Sequence, residues 1–293
     1  MTGGADPTRA LFLVNPAAGG APSADELEPI FARLRAGGFA LRFVELTSDG
    51  PGAEELAADA VRNGEGAVIV AGGDGTVGGA ARAVTGTAAT LGVLPAGTHM
   101  NIARAIGLPC DDLPAAADRI ARKRTRTVDV GRVAGRFFFE AAGVGLDADA
   151  FHAGHALVRR DRALVLAALG ALVTRRGAVL EIDVDGARRR HRCLQAVVSN
   201  GPFYGWGFAV APDARMDDGQ LDLTLFADDR LRVAREFVAA MLGRDRPPRG
   251  RRYLGASITM RSREQVRVHA DGVPVGELPQ TFEVLPGALR VFA

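Results

Sequence analysis

The stretch AVIVAGGDGT, residues 67–76, joins a short apolar run to a glycine-rich loop. The apolar run predicts a buried β-strand, and the spacing of apolar residues from Val77 to Val84 predicts a helix after the loop. Glycines let the backbone turn sharply and bring its amides close to an anion, and the helix N-terminus adds partial positive charge. The stretch therefore predicts a phosphate loop, with a plain turn capped by Asp74 as the alternative.

The same alternation of strand and helix extends over the first 128 residues. The predicted strands are Ala10–Asn15, Leu41–Leu46, Ala67–Ala71 and Leu91–Leu94. The predicted helices are Ala24–Ala36, Ala53–Arg62, Val77–Val84, Asn101–Ile106 and Leu113–Arg122. Strands that alternate with helices indicate the α/β class, with a Rossmann-like parallel sheet covered by helices on both faces.

Two more loops place glycine directly after a strand. They are Asn15-Pro16-Ala17-Ala18-Gly19 and Pro95-Ala96-Gly97-Thr98. Ligands of open α/β sheets bind beyond the carboxyl ends of the strands. We therefore expect these two loops and the 72–76 loop to converge at one edge of the sheet.

The pattern changes after Thr127, where antiparallel strands dominate. The predicted strands there are Val128–Val133, Arg136–Glu140, Leu180–Val184, His191–Ser199, Leu221–Phe226, Ser257–Met260, Gln265–His269, Thr281–Leu285 and Ala288–Phe292. The sequence Asp185-Gly186 between two strand-like runs is a strong hairpin signal. Two helices, His155–Arg175 and Leu231–Leu242, interrupt the strands. The predicted domains are therefore residues 1–128, which are α/β, and residues 129–293, which are rich in β-strands.

Composition excludes several classes of function. The 36 basic and 34 acidic residues give a net charge of +2, so no global field favours nucleic acid. Lys123 is the sole lysine, which excludes a Walker-A loop. Two cysteines, Cys110 and Cys193, favour a reducing compartment, and the longest apolar run is too short to span a bilayer. We expect a cytoplasmic protein that is soluble or peripheral at the inner face of the membrane.

Five segments bring a known family into view. They are NPAAG (15–19), GGDGT (72–76), LPAGT with NIARAIGLP (94–109), EAAGVGLDA (140–148) and DDGQLDL (217–223). In this order they resemble the diacylglycerol kinase catalytic family, and more closely the bacterial soluble lipid kinases related to diacylglycerol and sphingosine kinases. GGDGT alone is shared with NAD kinases. The resemblance implies a nucleotide domain, a C-terminal β-sandwich domain and an active site in the cleft between them.

The resemblance also implies roles for single residues. The nucleotide would contact Asn15, Pro16, Ala17, Ala18, Gly19, Thr47, Gly72, Gly73, Asp74, Gly75, Thr76 and Thr98. In the bacterial enzymes a magnesium site matches residues 215–220. There Asp218 would supply its carboxylate, and Arg215 and Gln220 their backbone carbonyls; a surface turn is the alternative.

Three positions depart from the family pattern. The C-terminal motif is Asp-Gly-Glu with the glutamate as proton acceptor, whereas this chain has Asp271-Gly272-Val273. Gly78 and Met100 stand where asparagines are usual. We therefore expect Asp74 or Asp271 to orient the substrate hydroxyl; for Asp271 a plain hairpin turn is the alternative.

The function implied by the resemblance is an ATP- and Mg²⁺-dependent lipid kinase that phosphorylates a hydroxyl of diacylglycerol or a similar lipid. The alternatives are a catalytically impaired nucleotide- or lipid-binding member of the family and, less favoured, a NAD-kinase-like enzyme. The expected partners are a lipid substrate and the membrane surface, without nucleic acid; a homodimer is left open.

A few further features have two readings. Arg188 to Arg192 is a basic run that fits either a solvated strand edge or contact with anionic headgroups. The apolar residues Ala163 to Val173 fit either a core helix or a lipid-facing surface. His152 and His155 lack a third zinc ligand, and Trp206 is expected to pack.

Overall fold

The computed structural model describes residues 8–145, 177–205, 207–227, 229 and 250–293. The chain divides into two compact units, residues 1–130 with 286–293, and residues 131–285. The helices predicted at His155–Arg175 and Leu231–Leu242, the pair His152 and His155, and Trp206 lie outside the described residues.

The first unit alternates strand and helix. Its elements are β1 (Thr8–Val14), α1 (Ala24–Ala36), β2 (Phe39–Glu45), α2 (Ala53–Arg62), β3 (Ala67–Gly72), α3 (Asp74–Val84), β4 (Thr90–Pro95), α4 (Asn101–Ala105) and α5 (Leu113–Ala121). Two strands, β5 (Thr125–Val133) and β15 (Gln280–Phe292), run from one unit into the other.

The strands of this unit form a parallel sheet in the order β2-β1-β3-β4. The end of β15 joins β4 in parallel, with Val291 opposite Leu91. Every residue of β3 and β4 is buried, as expected for strands covered on both faces. The predicted α/β class with a parallel sheet is confirmed.

Helices cover both faces of this sheet. Leu27, Ile30 and Leu34 of α1 pack with α5 against one face, where Phe12 and Ile69 are fully buried. The helices α2 and α3 cover the other face, where their alanines and valines are buried. Burial of a side chain such as Phe12 contributes about 1.5–3 kcal/mol, so this core fixes where the strand ends lie.

The second unit is antiparallel. Its further strands are β6 (Arg136–Phe138), β7 (Ala141–Gly145), β8 (Ala178–Val184), β9 (Ala187–Ser199), β10 (Leu221–Ala227), β11 (Arg251–Gly255), β12 (Ser257–Ser262), β13 (Arg267–Ala270) and β14 (Val273–Glu277). Pairing gives the order β14-β13-β7-β9-β8-β12-β15, and β10 pairs with β9 and β11. Apolar side chains of these strands form one buried cluster around Phe138 and Phe282.

The sequence misplaced some of these strands. Residues 281–285 and 288–292 were expected as separate strands, but they form the single strand β15. Pro286-Gly287 suggested a break. In the structure Gly287 takes a positive φ of 61°, and its N–H donates to Asp129 Oδ1 at 2.7 Å, so the strand continues. Within the described residues, β7, β11 and β14 were not predicted, and β14 contains the strand-breaking residues Pro274 and Gly276.

Candidate active site

Three loops of the first unit meet at the carboxyl ends of the parallel strands. In the sheet order β2-β1-β3-β4, the chain passes from β1 to β2 toward one edge of the sheet and from β3 to β4 toward the other edge. The direction of the connections therefore reverses between β1 and β3. Such a switch point opens a crevice where ligands of α/β folds bind. The loops after β1 and β3 flank this point.

The first two loops are bonded to each other. Asn15 Nδ2 donates to Thr76 Oγ1 at 2.8 Å, and the Asn15 backbone N–H donates to Ala71 O at 2.9 Å. The Asn15 side-chain oxygen accepts from Ala17 N at 3.0 Å and holds the turn of its own loop. Asn15 therefore fixes the distance between the loop after β1 and the loop after β3.

The loop after β4 packs against the loops after β1 and β3. A Cβ added to Gly97 would lie 2.5 Å from the Gly73 Cα and 2.7 Å from Met100 Sδ, so only glycine fits at position 97. A Cβ on Gly19 would lie 3.3 Å from Thr98 Oγ1. The expected convergence of the three loops is therefore confirmed, while their contact with a nucleotide stays a prediction.

The start of α3 offers donors to an anion. The N–H groups of Thr76 and Val77 both donate to Gly73 O at 3.0 Å. In the part of the chain that the structure describes, those of Asp74 and Gly75 have no acceptor, as is usual for the first turn of a helix. Gly75 is exposed, and apart from its own helix a Cβ there would meet no atom of the described residues within 4 Å.

Asp74 has a structural task as well as its place in the loop. Its Oδ1 accepts from Ile102 N, at the start of α4, at 3.1 Å. Met100 is the N-cap residue of α4, has a left-handed φ of 53° and cannot cap with its side chain. Asp74 thus supplies the cap that an asparagine at position 100 would offer. Its second oxygen, Oδ2, accepts no hydrogen bond within the described residues.

The other residues expected at the nucleotide differ in setting. Pro16, Ala17, Gly19 and Thr98 are exposed, whereas Gly72 is buried beneath Thr76. Thr47 lies in an exposed turn after the edge strand β2, and its backbone oxygen accepts from Gly50 N at 3.4 Å.

Asp271 belongs to the second unit and is held by backbone amides. Its Oδ2 accepts from Phe139 N at 2.8 Å, and its Oδ1 accepts from Glu140 N at 3.0 Å and Ala141 N at 3.2 Å. Asp271 and Gly272 both have positive φ and form the turn between β13 and β14. A carboxylate with three N–H donors is stabilised in its ionised form, which makes it a weak base.

A buried histidine supports this turn, and the sequence alone did not reveal it. His269 is completely buried, its Nδ1 accepts from Gly272 N at 3.2 Å, and its Nε2 lies 2.8 Å from the Tyr204 hydroxyl. Because Nδ1 accepts, the neutral ring carries its proton on Nε2 and donates to Tyr204. In the sequence, the position of His269 two residues before Asp271-Gly272 is the signal that could have linked it to this turn.

The residues expected to hold magnesium share one exposed loop of the second unit. Gln220 N donates to Asp218 Oδ1 at 3.0 Å, and Arg215 Nε donates to Asp217 Oδ1 at 3.0 Å. Across the described residues there is no group of three or more His, Cys, Asp and Glu side chains that could hold a metal. One carboxylate with carbonyl oxygens and water suits Mg²⁺, which keeps several waters, so the donor set fits this ion.

Asp222 of β10 is an unusual neighbour of this loop. It is only 7% exposed, and burial raises its pKa to about 6; Arg252 opposes the rise, and Asp218 and Asp213 add to it. Arg252 is itself bonded to Asp213 at 2.8 Å. The signal for it in the sequence is a charged residue among the leucines of LDLTLF.

Two glycine variants test the packing of the loops. We expect Gly97→Ala to lower the free energy of unfolding by about 1–3 kcal/mol, because its Cβ collides with the Gly73 backbone. Gly75→Ala is the matched control and should leave stability unchanged or raise it by up to about 1 kcal/mol. Urea denaturation measures both; equal effects would contradict the close approach of the loops.

Asp222 predicts a pH dependence of stability. Burial raises the pKa of the Asp222 carboxyl from 3.8 to about 6 on folding, so the folded protein loses stability as pH increases through that interval. Asp222→Asn should remove this loss, so the free energy of unfolding of the variant should rise by about 1–3 kcal/mol relative to that of the wild type between pH 4 and pH 7. Urea denaturation in a metal chelator at each pH measures the difference, and parallel profiles would refute the assignment.

Comparisons with known proteins agree with this architecture. The family model of the diacylglycerol kinase catalytic domain matches residues 9–133, and that of the YegS C-terminal NAD kinase beta sandwich-like domain matches residues 140–293. The expected C-terminal β-sandwich is thereby confirmed. The crystal structure of a diacylglycerol kinase from Bacillus anthracis str. Sterne has the same fold, with a TM-score of 0.75, 22% identity, and coverage of 97% of this chain and 96% of that one.

Relatives match along nearly the whole length. The diacylglycerol kinase of Mycobacterium tuberculosis (strain ATCC 25618 / H37Rv) is 31% identical, over 95% of this chain and 93% of that protein. The diacylglycerol kinase of Bacillus subtilis (strain 168) is 27% identical, over 94% and 92%. The chain belongs to the diacylglycerol kinase catalytic family of bacterial lipid kinases.

Proposed function

We propose that the protein is an ATP- and Mg²⁺-dependent kinase that transfers the γ-phosphoryl group to a hydroxyl of diacylglycerol or a similar lipid. The observation that carries this proposal is the bonded pair of loops at the switch point, with the Asp74 and Gly75 amides without an acceptor in the described chain. Backbone amides at a helix N-terminus bind phosphate without a lysine. The names of the relatives support a lipid as acceptor.

The reaction needs positioning and one proton acceptor. The acceptor hydroxyl oxygen forms a bond to the γ-phosphorus, the bond from this phosphorus to the bridging oxygen breaks, and ADP leaves. The hydroxyl proton passes to a base. Most of the rate of such transfers comes from alignment and charge neutralisation. Arrangement of the three loops around the phosphates is therefore the main task of the first unit.

Asp74 is the better proton acceptor of the two expected carboxylates. Its Oδ2 accepts no hydrogen bond in the described residues, whereas both oxygens of Asp271 accept from backbone amides. Hydrogen bonds to the ionised form weaken a carboxylate as a base. We infer that Asp74 orients and deprotonates the hydroxyl, and that Asp271 shapes the segment 139–141.

Magnesium would be held by Asp218 and by the carbonyls of Arg215 and Gln220. When bound, it supplies positive charge that offsets acidic groups nearby. The loop has the carboxylate and carbonyl oxygens this requires, with Gln220 N holding Asp218 in place. Asp74 in a phosphate loop likewise needs a cation or a hydroxyl beside it, which the acceptor lipid and a nucleotide-bound metal would provide.

The two aspartates should respond differently to asparagine. We expect Asp74→Asn to keep the bond to Ile102 N and the stability, yet to lower turnover about 10²–10⁴-fold through loss of the base. Asp271→Asn should lower stability by about 1–3 kcal/mol, because an amide cannot accept all three N–H groups. Radiolabelled ATP with a panel of lipids and urea denaturation measure both; unchanged turnover in Asp74→Asn would rule out its role.

Val273 separates this proposal from a non-catalytic one. The residue is 40% exposed and follows the Asp271-Gly272 turn, where a glutamate is the usual proton acceptor of the family. Because Asp74 already serves as the base in this proposal, Val273→Glu should raise turnover at least about tenfold in the Asp74→Asn background, where general-base assistance worth ~10²–10⁴-fold is missing. Val273→Gln is the control of equal shape without the charge.

Other outcomes would select the remaining candidates. Nucleotide binding without turnover on any lipid, restored by Val273→Glu, would identify a catalytically impaired member of the family. Phosphorylation of NAD in place of lipids would identify a NAD-kinase-like enzyme. A gain in Val273→Gln equal to that in Val273→Glu would contradict the role of the charge.

A further inference from the structure

A cluster of basic and aromatic side chains lies on one face of β9 and β11. We name it the basic cluster; it consists of Arg189, His191, Arg251 and Tyr253. Arg189 and His191 are two apart on β9, and Arg251 and Tyr253 are two apart on β11. Side chains two apart on a strand share a face, so each strand presents a pair.

Direct contacts join the two pairs. The Arg189 guanidinium carbon lies 4.7 Å from the centre of the Tyr253 ring, in cation–π geometry. The Tyr253 hydroxyl lies 2.9 Å from His191 Nε2, and the two rings are 5.8 Å apart at their centres. Ring contacts therefore hold the cluster in place. Arg189 Nη1 also donates to Ala187 O at 2.8 Å; within the described residues its remaining guanidinium donors and those of Arg251 form no further hydrogen bond.

The positive charge of the cluster is not balanced. Within the described chain, neither Arg189 nor Arg251 forms an ion pair, and both are exposed. Their neighbours do form pairs, Arg188 with Asp183 at 3.4 Å and Arg252 with Asp213 at 2.8 Å. Burial lowers the pKa of His191, and Arg251 and Arg189 lower it further. The two arginines thus leave a positive potential at this face.

We propose that the basic cluster binds the phosphate groups of anionic phospholipids where the protein docks on a bilayer. The inference rests on the proposed function, because a kinase of a membrane lipid must meet its substrate at the bilayer surface. Within the described residues no helix is long and apolar enough to cross a membrane. Guanidinium groups match phosphate oxygens in geometry and charge.

The cluster fits a bilayer better than nucleic acid. Proteins that bind single strands offer open aromatic faces on which bases stack. Here Arg189 lies over the Tyr253 ring, and His191 contacts its hydroxyl. The available groups are guanidinium donors alone, which suits a surface of headgroup phosphates.

The test is sedimentation of the full chain with vesicles of phosphatidylglycerol and phosphatidylcholine. Basic residues near an anionic membrane contribute ~1 kcal/mol each. The double variant Arg189→Gln, Arg251→Gln should therefore weaken binding about 30-fold. The matched control is Arg190→Gln, Arg192→Gln, whose side chains point to the opposite face of β9. It should change binding less than about threefold.

Each further outcome decides the matter. Equal losses in both double variants, no loss in either, or no binding of wild type to these vesicles would overturn the proposal. So would saturable binding of inorganic phosphate or of RNA that is lost in the Arg189, Arg251 variant. Phosphorylation of diacylglycerol in neutral detergent micelles, measured in parallel, should be equal in wild type and variant. Its absence in both would refute the proposed function alone.

Discussion

The proposed function requires the first unit to bind the phosphates of a nucleotide without a lysine. The sole lysine, Lys123, donates to Thr8 Oγ1 and Gly38 O at 2.9 Å each and lies over the Phe39 ring. These partners lie at the starts of β1 and β2, whereas the three loops follow the carboxyl ends of the strands. Under that proposal, backbone amides at the start of α3 would supply the hydrogen-bond donors. They can do so because the buried strands β3 and β4 fix the positions of the loop ends.

The need to hold the loops close together explains the glycines and the single asparagine at the switch point. Gly73 and Gly97 let two backbones touch, and Asn15 joins the loops after β1 and β3 through Thr76. Asp74 then links these loops to α4, because its side chain accepts a hydrogen bond from Ile102 N. Met100 cannot cap α4 with its side chain, and Asp74 supplies a hydrogen-bond acceptor there. The carboxylate is thereby held in the same loop as the free amides.

Much of this followed from the sequence, because glycine loops after apolar strands are local signals with a direct structural meaning. α1 and α2 were predicted to the residue, and the three loops converge as expected. What escaped prediction depends on contacts distant in sequence. The three amides that hold Asp271 lie 130 to 132 residues away, and the support of the Asp271 turn by His269 and Tyr204 spans 65. β15 was divided in two because Pro-Gly normally ends a strand.

The most direct measurement of the central claim is calorimetric titration of magnesium nucleotide into wild type and Gly75→Ala. A methyl group at position 75 meets no atom of the described residues within 4 Å outside its helix, so it leaves the fold intact. It stands on the residue that carries one of the two amides, where it would crowd a phosphate bound to them. The account predicts measurable binding to wild type and a loss of at least about tenfold, roughly 1.4 kcal/mol, in the variant at unchanged stability. Equal affinity of the two proteins, or no binding to either, would contradict it.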